Sequence, residues 1–142
     1  MQTFLPYENF VESAKVLDRQ RLGKQRVETL QVMTALLTPD YGWQNHPAVK
    51  MWRGHESTLL EYQHAICNEW TSRGYKDTCL EKTIAVMAGK PIGIVRPSWL
   101  GNQELHSSHR SNLVRKLPEH YGKLWNIAND LPYVWPTEKV AA

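Results

Sequence analysis

The stretch from Asp18 to Leu37, DRQRLGKQRVETLQVMTALL, constrains the fold more than any other part of the chain. Asp18 is a suitable N-cap, and Thr38-Pro39 ends the run because proline cannot continue a helix. Leu22, Leu30, Met33 and Leu37, helped by Thr29 and Leu36, recur at helical spacing and predict one buried face. Arg21, Lys24, Glu28 and Gln31 line a different, wettable face, with one carboxylate set among cations. Lys24 and Glu28 stand four apart. As an exposed pair they would contribute only about 0.3–0.5 kcal/mol, so an ordinary solvated helix surface is one reading of this face.

Helical patterning continues on both sides. Residues 1–8 read as extended, with Pro6 discouraging helix at Leu5. Asn9 and Glu12 have capping-box spacing and predict a short helix reaching about Leu17. Pro47 opens a second long helix that runs to Arg73, with Gly74 as its stop and Gly54 as a point of bending. Its stripe is Trp52, Leu59, Tyr62, Ile66 and Trp70. A shorter helix from Thr78 to Ala88 presents Leu80, Ile84 and Met87 and closes at Gly89. KPIGIVRPSWLGN reads as an irregular connector, because one short strand without a partner makes no sheet. Gln103 to Leu117 forms a last helix, broken by Pro118, and the aromatic segment EHYGKLWNIANDLPYVWP is expected to drape over the helices. The expectation is a compact all-α single domain over residues 1–142, with three to four main helices.

Composition narrows the class. With 142 residues, 42% hydrophobic and 22% charged, the chain can bury a core. Its excess of +3 permits a polyanionic partner without demanding one. Cys67 and Cys79 lack metal-ligand spacing and fit a reduced, cytoplasmic chain. No stretch approaches the roughly 20 apolar residues of a membrane span, and MQTFLPYENF has no signal-peptide pattern.

Three constellations bear on chemistry. His46, His55 and His64 recur every nine residues, which turns a helix by about 900° and puts successive rings on opposite faces. His106 and His109 share a face, and a metal-dependent nuclease built on them is one reading, but no carboxylate or cysteine completes a ligand set. The expectation is no metal. There is no GxSxG, HExxH or phosphate-cradling glycine loop. In SHRSNLVRKLPEHYGKLW, the cations Arg110, Arg115, Lys116 and Lys123 alternate with Tyr121 and Trp125. Cations for phosphates and rings for bases suit a nucleic-acid surface, and a surface helix with a core-packing tail is the alternative. Arg26 falls on the Leu22–Leu30 side, where a guanidinium needs partners. It is either a structural clamp or the wall of a cleft.

LDRQRLGKQRVETLQ, NHPAVKMW with the later SRGYKD, and SHRSNLVRKLPEHYGK occur in this order across most of the chain. Together they resemble the small pyrimidine-dimer DNA glycosylases, the group that includes the phage endonuclease V-like glycosylase/AP lyase. The first resembles the family's long helix with its Asp, Leu and Arg-Glu pair. The second resembles its middle helix and Arg-Gly-aromatic turn, and the third its basic last helix with an aromatic-Gly-Lys tail.

The resemblance implies an all-helical DNA-repair glycosylase with no cofactor, acting on double-stranded DNA as a monomer. Its location would be cytoplasmic, associated with the nucleoid when bound to DNA. It also implies that a free N-terminal α-amine, here that of Met1, attacks C1′ of the damaged nucleotide, and that a Schiff base and β-elimination follow. An α-amine with a pKa of roughly 7.7–8.0 is partly nucleophilic at neutral pH. Glu28 matches the family's glutamate, and the implied DNA-binding residues are Arg21, Lys24, Arg26, Arg110, Arg115, Lys116, Tyr121 and Lys123. Two positions depart from the family pattern. Val27 separates Arg26 from Glu28, a displacement of about 100° around the helix. Gln2, a large residue, follows Met1 where a small one would allow methionine removal. A DNA-binding module without catalysis is the alternative on the same scaffold.

Overall fold

Residues 1–136 are described by a computed structural model of the chain, and they are all-helical, with no strand. The elements are α1 (Phe10–Val16), α2 (Arg19–Leu37), α3 (Pro47–Lys50), α4 (Glu56–Ser72), α5 (Cys79–Met87), α6 (Gln103–Lys116) and α7 (Pro118–Tyr121). The sequence cues explain most boundaries. Asn9 Oδ1 accepts from Glu12 N at 2.9 Å, and Asp18 Oδ2 accepts from Arg21 N at 3.4 Å, so both expected caps form. α2 stops at Thr38, before Pro39. α2 packs on α4 and α5, and α1 packs on α4. Leu22, Val32, Met33, Trp52, Leu59, Tyr62 and Ile66 meet in the core between them.

Three expectations are corrected. The helix from Pro47 to Arg73 is two helices, because Gly54 takes a left-handed φ of +84° and breaks it. The break is held by buried Glu56, whose carboxylate accepts from Gly54 N at 2.7 Å and from Gly93 N at 2.9 Å. The buried face of α2 includes Gln25 and Val32, while Leu30 and Leu37 are only partly buried. Hydrophobic periodicity could not register Gln25, a polar residue whose amide is fully used inside the protein. In α5 the buried residues are Cys79 and Thr83, whereas Ile84 is 47% exposed. Thr83 is accommodated because its hydroxyl donates to Cys79 O and accepts from Gln63 Nε2. Both cysteines are free and buried.

The connector after α5 has no regular structure, as expected, and the tail does drape. Trp125 stacks on Tyr121 with centroids 5.6 Å apart and donates to the Tyr7 hydroxyl at 2.8 Å. Further along, Ser111 Oγ and Asn112 Nδ2 hold the carbonyls of Ala128 and Leu131, and Val134 N donates to Ser108 Oγ at 3.1 Å. One face of α6 thus carries the tail.

Candidate active site

The extended N-terminus runs through the interior, held by side chains where a sheet would use backbone. Gln25 accepts from Phe4 N at 3.0 Å and donates to Gln2 O at 2.9 Å. The Tyr62 hydroxyl lies 2.8 Å from Phe4 O and 2.7 Å from Gln25 Oε1, so its single proton serves one of them at a time. Trp52 Nε1 donates to Thr3 Oγ1 at 3.0 Å. Leu5 N donates to His109 Nδ1 at 2.8 Å, and His106 Nδ1 meets Leu5 O at 2.8 Å. Since His106 Nε2 accepts from Gly101 N, its proton sits on Nδ1 and is donated to Leu5 O. Arg110 donates to Pro6 O at 2.6 Å. Buried backbone needs such partners, and these side chains supply them nearly residue by residue.

The result places the first residue at a cavity. Met1, Gln2 and Phe4 form one wall of a cavity of about 270 Å³; Gln20, Arg21, Lys24 and Glu28 of α2 form a second; Lys116, Tyr133 and Trp135 complete it. Glu28 is the only carboxylate among these residues, facing the cations Arg21, Lys24 and Lys116. Its Oε2 accepts from Gln2 N at 3.3 Å and from Gln25 Nε2 at 3.0 Å. Lys24 and Glu28 form no ion pair, so the helix-pair reading of this face does not apply, while Arg21 pairs with Asp18 at 3.2 Å.

Electrostatics within the site are uneven. Burial pushes the Tyr133 phenol up; Arg115 and Arg21 oppose this and Glu28 adds to it. Tyr133 therefore stays protonated, a donor at the cavity wall. Tyr62, beneath the N-terminus, is held well above the usual tyrosine range by burial and then by the Glu28 charge. His46 is lowered by burial and by the α-ammonium of Met1. Its Nδ1 accepts from Ala48 N at 3.0 Å, capping α3, and its ring meets Trp135 edge-on at 6.2 Å.

The residues expected at the site from sequence are divided by the fold. Met1, Glu28, Arg21, Lys24 and Lys116 converge on the cavity. Arg115 and Lys123 are exposed outside it; Arg115 also holds Asn112 and the Asn129 carbonyl. Three others are used elsewhere. Arg26 turns to the opposite side of α2, bonds Asp77 at 2.7 Å and lies 4.4 Å over the Trp70 ring, which makes it the clamp of the two readings. Tyr121 is fully buried, its hydroxyl bonded to the Asp18 carboxylate. Arg110 is spent on Pro6 O, on Ser107 Oγ at 3.0 Å and on the Tyr7 ring. His106 and His109 are fully buried and hold Leu5. Gln2, Gln20, Tyr133 and Trp135 were missed. The proline-bounded PYVWP segment was the one cue for the last two.

A cavity with one carboxylate, several cations and an amine-bearing chain end suits reaction at an electrophilic carbon of an anionic polymer. The family model for pyrimidine dimer DNA glycosylases matches residues 1–83, more than half of the chain. That span holds the extended N-terminus, α2, α4 and the first part of α5, and it ends before α6 and the tail. No curated protein and no solved structure matches the chain.

Proposed function

The chain belongs to the pyrimidine dimer DNA glycosylase family, and from that premise we propose that it is a DNA-repair glycosylase/AP lyase on double-stranded DNA that uses the Met1 α-amine as nucleophile. The observation that carries this reading is the shared cavity of Met1 and Glu28, with Gln2 N 3.3 Å from the Glu28 carboxylate.

In the proposed reaction the amine lone pair forms a bond to C1′ of the damaged nucleotide. The N-glycosidic bond breaks and the base leaves with its electron pair and a proton. Glu28 stabilises the cationic sugar and the protonated imine that forms as the ring C1′–O4′ bond opens, O4′ keeping the electron pair and taking a proton from solvent to become a hydroxyl. It then takes a proton from C2′, and the C3′–O bond breaks to release the 3′ phosphate. Arg21, Lys24 and Lys116 hold the flanking phosphates, and Arg115 and Lys123 extend the basic surface. The Val27 offset is of no consequence for this scheme, because Arg26 has no part in it.

Borohydride trapping tests the proposal. Incubation with a duplex carrying a cyclobutane dimer or an abasic site should leave a covalent protein–DNA adduct that maps to residue 1, and acetylating the amine should abolish it. Base excision without an adduct would replace the lyase by a glycosylase in which Glu28 activates water. Binding without excision would leave only the DNA-binding module.

A further inference from the structure

Trp43 combines two features that a chain ordinarily avoids. Its backbone is left-handed, with φ +74°, and its indole is 61% exposed. A bulky residue in that conformation is strained, and such strain persists only where the surroundings impose it. Here the surroundings do impose it. Trp43 O accepts from His46 N at 2.9 Å, Gln44 Nε2 donates to Thr38 O at 2.9 Å, and the Arg53 guanidinium donates to Gln44 O at 3.1 Å. The turn is thus braced on both sides of a side chain that contributes little to the core.

The position of the indole links it to the cavity. Trp43 meets His46 edge-on at 5.9 Å, and His46 meets Trp135 at 6.2 Å. Trp135 lines the cavity. Three rings therefore lead from the cavity wall to an exposed tip, with the exposed cations Lys50 and Arg53 on the adjoining segment. We infer that Trp43 is a stacking wedge that enters the duplex beside the target and fills the space left by an extruded nucleotide. The inference rests on the DNA-glycosylase reading of the site. An enzyme that acts at C1′ inside a duplex must unstack the nucleotide, and an inserted ring offsets the lost base stacking. A rigid turn suits this task, since the wedge must enter without first being ordered.

The test uses equilibrium binding to a duplex containing a tetrahydrofuran abasic analogue, compared with the same duplex intact. The analogue has no aldehyde, so binding is read independently of any Schiff-base chemistry. The wild-type chain should prefer the gapped duplex, and Trp43→Gly should lose about tenfold of that preference. The salt dependence of binding should not change, because every phosphate keeps its cation. Glycine is at ease at positive φ, so the variant should melt no lower than wild type; Trp43→Asn, also tolerant of this conformation, provides a second case. Trp43→Phe should retain most of the preference. An equal preference in wild type and Trp43→Gly, or none in wild type, would overturn the wedge. Failure of borohydride trapping at a true abasic site would instead count against the lyase and leave this comparison intact.

Discussion

Glu28 and Arg26 lie two residues apart on α2 and serve opposite sides of it. Glu28 Oε2 takes two hydrogen bonds from the threaded N-terminus and its anchor, Gln25. Glu28→Gln keeps the shape and an acceptor oxygen while removing the charge. It should fold and bind DNA like wild type and lose most base excision; near-normal excision on a defined dimer duplex would remove Glu28 from the mechanism. Arg26 is different. It pairs with Asp77, whose side chain is 5% exposed, and it covers Trp70. Arg26→Ala leaves a nearly buried carboxylate without its cation, a loss of about 3 kcal/mol or more in chemical denaturation. The slope of DNA affinity against salt should be unchanged. Sequence could mark Arg26 as needing partners, but Asp77 is 51 positions away, and nothing in the SRGYKD segment that it closes indicates that it faces Arg26. Gln25 was illegible for another reason: besides Glu28 and Tyr62, its partners are backbone atoms of a segment with no regular structure.

Helix α6 acts as a two-sided support. His106, His109 and Arg110 hold the extended N-terminus, while Ser108, Ser111 and Asn112 hold the tail that carries Tyr133 and Trp135. Its boundaries were legible from Gln103 to the break at Pro118, and its cations suggested an outward, nucleic-acid face. The polar residues between them were instead turned inward, which composition alone cannot distinguish from exposure. Lys116 at its C-terminal end and Lys24 of α2 face the same cavity. Replacing both by alanine should make the log–log salt slope shallower by about 1.8, roughly 0.9 for each phosphate that no longer meets a cation. An unchanged slope would put the DNA elsewhere. The break between α3 and α4 offers a second test. A Cβ on Gly93 would come within 2.1 Å of Gly54 O, so backbone must move. Gly93→Ala should cost about 1–3 kcal/mol by denaturant titration, as overpacking does.

At the scale of the whole molecule, buried histidines couple stability to pH. Burial, with a smaller contribution from His106, lowers His109 from 6.5 to about 3. His46 and His106 are also lowered, chiefly by burial. An unfolded histidine takes up its proton near 6.5, before the folded one does, so falling pH favours the unfolded chain. The His109 contribution is complete above about pH 6.5 and is lost between there and about pH 3, at about 1.4 kcal/mol per pH unit. Asp18 and Asp77 are both lowered. Burial, the largest single influence, opposes this; for Asp18 the bonds from Tyr121 and Arg21 with the Arg21 charge, and for Asp77 the bonds from Arg26, Leu80 N, Cys67 and Cys79 N, together outweigh it, so their contributions are lost only in stronger acid. Denaturation at pH 7.5, 6 and 5 should show the decline, and His109→Gln, which keeps an acceptor for Leu5 N, should flatten it. A slope equal to wild type would assign the pH dependence to other groups.

The threaded N-terminus also has a consequence for how the protein is made. Leu5 is fixed by His106 and His109, 101 and 104 positions further along. Interactions so distant in sequence form late, after the intervening chain has been synthesised and folded. On the ribosome, residues 1–7 emerge long before their supports on α6, and until then the cavity lacks both the wall they build and the wall that Lys116 and the tail complete. A nascent or prematurely terminated chain therefore carries Met1 and Glu28 without the α6 side chains that fix Leu5 and without the Lys116 and tail side of the cavity. The cavity around the proposed nucleophile is completed only when the last helix and the tail have been translated.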